Sequence, residues 1–260
     1  MQIPILAIGD VVGASGTEYL SAGRRLARFT DQHGIKLTVV NAENSAEGNG
    51  TLPQSAEALF SAGADVLTGG NHSFRRREFY NMLDDRDEVL RPANYPPAAQ
   101  GHGYTIAETD GRRILVMNLI GQVFMDTVDS PFKCADRILE REKGNYDFAV
   151  VDFHAEATSE KLALARYLTG RVSAVWGTHT HVQTADEAIL GGKTGYITDL
   201  GMTGSPEGIL GVKTDPVMHQ FLVKTPSRFE TAHGNENAQG AIFVIDTETK
   251  GCVRVERVRF

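Results

Sequence analysis

Five short apolar runs in this sequence break off into the same small vocabulary of polar residues. Ile3–Ile8 leads into Gly9-Asp10, Leu37–Val40 into Asn41-Ala42-Glu43-Asn44, and Asp65–Thr68 into Gly69-Gly70-Asn71-His72. Phe148–Phe153 runs into His154, and Val172–Trp176 into Gly177-Thr178-His179-Thr180-His181. Aspartate, glutamate, asparagine and histidine supply oxygen and imidazole donors without thiolate, a ligand chemistry suited to divalent cations. The donors from Asp10 to His181 are too many for one ion. Two ions about 3.5–4 Å apart, sharing a carboxylate, would use them. Glu43 is the candidate bridge because its two oxygens carry several lone pairs, and Asn44 and Asn71 can offer carbonyl oxygens. Alternate residues of an extended segment point the same way, so His179 and His181 can reach one cluster, one per ion.

Taken singly, each piece is ordinary. A His-x-His pair is common on strands, Gly-Asn-His is a turn with a histidine after it, and Glu43-Asn44 opens an Asn/Gly/Ser-rich loop. A lone His154 after an apolar run reads as a core histidine. Their joint placement at five strand ends is what points to a metal centre, because ligands of open α/β sheets sit at the carboxyl ends of strands. Asp152 and Glu156 flank His154 and are candidates to support it. His33, His102, His219 and His233 read as solvated, and Arg75-Arg76-Arg77 as the exposed start of a helix. Gly201-Met202-Thr203-Gly204 reads as a turn whose amides could line a phosphate pocket.

The elements that must carry these residues are legible in outline. Together with Ile114–Leu119, the apolar runs read as strands buried on both faces. Tyr19, Ala22, Leu26 and Phe29 recur at helical spacing, with Gly34 as the stop. Thr51-Leu52-Pro53-Gln54 is a capping-box pattern opening a helix that ends before Gly63. Further helices are expected over Pro131–Lys143 and Ser159–Leu168. Hairpin signals fall at Gly191–Gly195 and Thr247–Gly251, Gly234–Gly240 reads as a polar loop, and Cys252–Val258 alternates like an antiparallel edge strand. No repeat or linker divides residues 1–260, so one domain of stacked mixed sheets with outer helices is expected.

Composition narrows the function classes. The 260 residues are 41% hydrophobic and 23% charged, the balance of a soluble globular chain. Two cysteines, Cys134 and Cys252, make neither a disulfide framework nor a cysteine zinc site. No apolar run approaches the ~20 residues that span a bilayer. Met1-Gln2-Ile3-Pro4 also lacks the basic start of a signal peptide, so a cytoplasmic protein without a membrane partner is expected. A net charge of −7 argues against polymeric nucleic acid as partner. A small anionic substrate is compatible if metal ions supply the positive field. The oligomeric state is not encoded legibly, and a homo-oligomer is compatible.

In order along the chain, these residues resemble the calcineurin-like metallophosphoesterases and, more closely, their YmdB-like branch. The resemblance is carried by Gly9–Gly13, Asn41–Ser45, Arg91-Pro-Ala-Asn94, Val151–Lys161, Gly177–Asp186 and Gly201–Gly204. It implies an α/β fold, a four-layer α/β/β/α sandwich of two mixed sheets flanked by helices. It also implies a dinuclear centre and phosphodiesterase activity on 2′,3′-cyclic nucleotides. By position it assigns Asp10, Glu43, Asn44 and His181 to one metal, Glu43, Asn71, His154 and His179 to the other, and His72 to the phosphate as catalytic residue. The substrate-binding residues stay open. Iron or manganese is the expected pair, and zinc or magnesium also fits these donors. The sequence departs from the wider superfamily at Val12, where a histidine is usual, and at Glu43-Asn44, where an aspartate bridges. Ser73 replaces an acidic residue that would orient His72, and Phe74 stands where the branch often has tryptophan.

The mechanism expected from such a centre is in-line attack by a metal-bridging hydroxide, with His72 stabilising the developing charge or protonating the leaving ribose oxygen. Two alternatives keep the same centre: a phosphomonoesterase or nucleotidase, and a regulator that binds a nucleotide through metal without turnover. A metal-dependent amidohydrolase also uses His-x-His, but there the pair follows the first barrel strand, whereas here it follows the other candidate ligands.

Overall fold

The computed structural model describes residues 1–260. The first half runs β1 (Gln2–Ile8), β2 (Asp10–Val11), α1 (Gly13–Ser21), α2 (Arg25–His33), β3 (Leu37–Asn41), α3 (Pro53–Ala62), β4 (Val66–Thr68), α4 (Tyr80–Asp85), β5 (Tyr104–Thr109) and β6 (Arg112–Ile120). The second half runs α5 (Pro131–Arg141), β7 (Phe148–His154), α6 (Thr158–Leu168), β8 (Ala174–Thr178), β9 (Ala188–Leu190), β10 (Thr194–Ile197), β11 (Met202–Thr203), α7 (Thr214–Val223), β12 (Gln239–Asp246) and β13 (Cys252–Arg259).

The strands form two mixed sheets, ordered β13-β12-β1-β3-β4 and β5-β6-β7-β8-β10-β9. Strand side chains alternate between faces. Ile3, Ile5 and Ala7 therefore join Ile114, Val116, Trp176 and Phe243 in one apolar layer between the sheets. The intervening residues Leu6 and Ile8 face Leu20, Leu26 and Leu59 of the helices outside the first sheet. Leu115, Met117 and Phe153 face Ile138, Leu164 and Leu168 of α5 and α6 outside the second. Both faces of each central strand are covered, which is why those runs are continuously apolar. The result is the expected four-layer α/β/β/α sandwich of two mixed sheets flanked by helices. No helix is long and apolar enough to cross a membrane.

Three local expectations are corrected. The Tyr19–Phe29 pattern is two helices: Gly23 and Arg24 adopt φ of 58° and 54°, and a short 3₁₀ turn separates α1 from α2. Glycine leaves the right-handed helix at little steric cost, and the break lets Leu20 and Leu26 both reach the core. Thr51 does not cap α3. Its hydroxyl donates to the Ala42 carbonyl (2.7 Å), while the Ser55 hydroxyl accepts from the Leu52 N–H (3.1 Å). The Gly201–Gly204 segment is not a phosphate loop: the amides of Gly201, Met202 and Gly204 donate to Asp199, Gln239 and Asn237, while Met202–Thr203 forms β11 beside β2 and the Gly201 and Thr203 carbonyls accept from Asp10 and Val12. The expected hairpins are present as β9–β10 and β12–β13, with β13 at the sheet edge. Helix α7, with exposed Phe221 and Leu222, is absent from the expected elements; its apolar residues show no single stripe.

Candidate metal centre

β1, β3 and β4 run parallel in one sheet and β6, β7 and β8 in the other, so their carboxyl ends meet at one edge of the sandwich. All seven residues expected to ligate metal converge there. His154 Nε2 lies 2.9 Å from Asn71 Oδ1, 3.0 Å from His179 Nδ1 and 3.2 Å from Glu43 Oε1. Beside this group, His181 Nε2 lies 3.6 Å from Asp10 Oδ1. The Asn44 amide stands 3.2 Å from Glu43 Oε1, 3.3 Å from His181 Nε2 and 3.5 Å from Asp10 Oδ1. Glu43 Oε1 thus belongs to both groups. Asn44 turns its nitrogen to the acceptors, and ligation by its oxygen would take a half-turn of the amide. The two histidines of the His-x-His pair do not lie on a strand as expected. β8 ends at Thr178, and His179 and His181 adopt φ of 102° and 63°, which sends each ring to a different group.

The donor set fits cations for a reason specific to this structure. Each of the three histidines has its outward nitrogen committed as a donor. Thr178 Oγ1 donates to Asp152 Oδ1 (2.8 Å) and so accepts from His154 Nδ1–H (3.0 Å). Glu156 Oε2 lies 3.1 Å from His179 Nε2, and the Leu210 carbonyl 3.1 Å from His181 Nδ1. The inward nitrogens, His154 Nε2, His179 Nδ1 and His181 Nε2, are therefore the positions at which a proton or a cation is held, facing buried carboxylates. Facing lone pairs of His154 and His179, 3.0 Å apart, repel unless a proton or a cation lies between them.

Charge follows the same pattern. Burial pushes the Asp10 carboxyl up, but the His181 imidazole, with His154, overcomes it and leaves Asp10 below its ordinary range. Burial acts likewise on Glu43, and His154 and His72 bring it well below. Burial dominates at Asp152, raised to about 6 despite hydrogen bonds from Thr68 and Thr178. Burial and the neighbouring His154 charge push His179 down to about 4. At His181 burial is outweighed by Asp10, which raises it to about 9. The metal-free His181 thus carries a proton at neutral pH. Since its folded value lies above the ordinary 6.5, the His181–Asp10 pair stabilises the metal-free fold fully below about pH 6.5. That contribution is lost as pH rises through about 9. A divalent cation ligated by His181 would displace this proton. Adding Mn²⁺ to metal-free protein at pH 7.5 is expected to release at least about one proton per chain in an unbuffered titration; uptake without release would contradict a ligand role for His181.

Supporting contacts hold the candidate ligands. Asp10 Oδ2 accepts from the His179 N–H (3.0 Å). Asp199 Oδ2 accepts from Thr180 N–H (3.1 Å), the Thr180 hydroxyl (2.8 Å) and the buried Lys161 ammonium (2.7 Å), clamping the residue between the two histidines. The Gly70 position is shaped by close approach: a Cβ there would stand 2.3 Å from Glu43 Oε2. Thr178, Asp199 and Lys161 escape a reading of the sequence. Thr178 and Lys161 lie in stretches that carry the family resemblance, but nothing in the three residue types marks them as supports. Thr178→Val, which keeps the volume and removes the hydroxyl, is expected to weaken metal binding about 10–100-fold, with Thr178→Ser restoring it. Metal titration checks this.

His72 stands at the cavity mouth. Its Nδ1 lies 2.9 Å from Asn44 Oδ1 and 3.1 Å from Glu43 Oε1, and its Nε2 opens to the cavity beside Asn49. The orientation that a carboxylate after Asn-His usually supplies comes here from Glu43 and Asn44. Ser73 instead closes the turn, its hydroxyl bonding Gly70 N–H and C=O. Phe74 packs edge-on against Tyr80 and Tyr95. His33, His102, His219 and His233 lie away from the centre; His33 stacks on Phe29, and His219 bonds Thr225. The cavity, about 340 Å³, is lined by Asn44, Asn49, His72, His179, His181 and Phe229 among others.

A family model described as YmdB-like protein matches residues 6–258. The 2′,3′-cyclic-nucleotide 2′-phosphodiesterase of Bacillus subtilis (strain 168) is 41% identical over 254 residues, 98% of this chain and 96% of its own length. Two crystal structures superpose with TM-scores of 0.93. One, from Thermus thermophilus and described as a hypothetical protein, is 38% identical, with 99% of each chain covered. The other, a Mycoplasma pneumoniae protein described as a novel phosphatase, is 29% identical, covering 100% of this chain and 94% of its own.

Proposed function

The chain belongs to the YmdB-like protein family, and from that premise we propose that it hydrolyses small phosphodiesters, 2′,3′-cyclic nucleotides foremost, on a centre of two divalent cations. The observation that carries this reading is the set of three histidines whose outward nitrogens are all committed as donors, leaving three inward nitrogens among buried carboxylates to hold a cation in place of a proton.

Asp10, Glu43, Asn44 and His181 would hold one cation, and Glu43, Asn71, His154 and His179 the other. Iron or manganese suits this mixture of imidazole and oxygen donors. Bound there, the pair would neutralise the diester's charge and lower the pKa of a coordinated water toward neutrality. The chain's own contribution to bond cleavage is His72. Glu43 and Asn44 hold its Nδ1–H, which turns Nε2 toward the leaving ribose oxygen, where it can deliver a proton. Proton transfer from Nε2 then avoids expelling a bare alkoxide.

The test is incubation of purified protein, loaded with Mn²⁺ or Fe²⁺, with adenosine 2′,3′-cyclic phosphate and separately with adenosine 3′-monophosphate. Conversion of the cyclic diester to nucleoside monophosphate, faster than release of phosphate from the monoester, is the expected result. Faster monoester turnover would make the protein a nucleotidase. Metal-dependent nucleotide binding without product would make it a regulator.

A further inference from the structure

The candidate catalytic cavity does not end at its histidines. Leu210, Val212 and Phe229 form one wall of it and are also the near wall of a second cavity of about 520 Å³, completed by Ile209, Val217 and Phe221. No carboxylate lines this second cavity. Its polar members are Gln220 and Lys224, and the Lys224 ammonium lies 5.5 Å from the centre of the Phe221 ring.

The shared wall is fixed to the metal side at two points. The Leu210 carbonyl accepts from His181 Nδ1 (3.1 Å), so the wall and a candidate ligand move together. Glu47, in the loop that follows Glu43 and Asn44, accepts from the Thr231 N–H (3.1 Å) and hydroxyl (2.7 Å), two residues beyond Phe229. Phe229 itself is 45% exposed beside a strongly polar centre. A flat partner laid on the ring would remove that surface from water.

We propose that this apolar cavity is the subsite for the nucleobase of the diester, with Phe229 as the ring on which the base stacks. The inference rests on the phosphodiesterase reading above and adds to it a selection for esters that carry an aromatic base. A phosphoryl group among His72, His179 and His181 has Glu43, Asn44 and Asn49 on its polar sides. Its organic substituent is then left facing Leu210, Val212 and Phe229. Every base has a π-face, so stacking here selects nucleotides as a class without distinguishing one base from another.

The experiment compares adenosine 2′,3′-cyclic phosphate with methyl riboside 2′,3′-cyclic phosphate, which keeps the ring diester and lacks the base. Wild type, Phe229→Ala and Phe229→Tyr are each assayed, and calorimetric titration with adenosine 3′-monophosphate and with ribose 3-phosphate gives a readout independent of turnover. In wild type, kcat/KM is expected to favour the adenosine diester by about 10-fold or more, through KM. Phe229→Ala should cut that ratio about tenfold and weaken nucleotide binding similarly, while Phe229→Tyr preserves both. Equal turnover of the two diesters by wild type, with equal binding of the two monoesters, would overturn the subsite and leave the phosphodiesterase reading standing. Nucleotide binding that depends on Phe229, with neither diester hydrolysed, would uphold the subsite and overturn the activity. If Phe221→Asp splits a homo-oligomer in light scattering yet leaves the wild-type ratio intact, a second copy of the chain occupies the cavity and the proposal falls.

Discussion

Glu43→Gln is expected to bind fewer than two metal ions per chain and to lose nearly all turnover. Glu43 Oε1 lies within 3.2 Å of His154 Nε2, the Asn44 amide and His72 Nδ1, and Oε2 accepts the His72 N–H at 2.9 Å. Its Oε1 thus stands against side chains of both groups of candidate ligands. The amide keeps the shape and the contact to His72 N–H, so the fold is expected to persist. What disappears is the negative charge between the two sites. A cation's stabilisation of a phosphoryl transition state amounts to several kcal/mol, so its loss reads as about 10³-fold in rate or more. Elemental analysis and kinetics on one preparation check both halves. Two ions retained per chain would remove Glu43 from the bridging role.

His72→Ala should separate metal binding from chemistry. Glu43 Oε1 and Asn44 Oδ1 lose the contact to His72 Nδ1, but the backbone N–H of residue 72 continues to hold Glu43 Oε2 and the contacts that fix the three histidine ligands are untouched, so metal content is expected to match wild type. Turnover should fall by about 10²–10⁴-fold, the usual contribution of a positioned general acid. KM should change little by comparison, because the contact matters when charge develops on the leaving oxygen. Unchanged turnover would take His72 out of the reaction. The largest effects thus fall on two residues 29 positions apart that share two hydrogen bonds, and their separate signatures, metal loss against rate loss, distinguish ligand from acid.

Much of this site is readable from the chain alone. The apolar runs before Asp10, Asn41, Gly69, His154 and Thr178 set strands buried on both faces, and each strand end carries its own polar residues. In parallel sheets those ends must lie at a common edge, so local patterns are enough to gather Asp10, Glu43, Asn71, His154 and His181 into one expectation. Short-range chemistry likewise marks Gly34 and Gly63 as helix stops, where both adopt left-handed φ.

Tertiary packing decided the rest, because those features depend on partners far away in sequence. Which nitrogen of each histidine faces inward is set by Thr178, 24 residues beyond His154, by Glu156 and by the Leu210 carbonyl, 29 beyond His181. The Lys161–Asp199 ion pair under Thr180 joins residues 38 apart, and the pairing of β2 with β11 brings Asp10 beside Met202. The apolar wall beside the centre comes from residues 209–229, whose spacing shows neither helical stripe nor strand alternation. A chain encodes which residue types turn inward through periods of 2 and 3.6. It encodes which atoms then meet only through sheet register and loop closure, and those exist once the two sheets have packed.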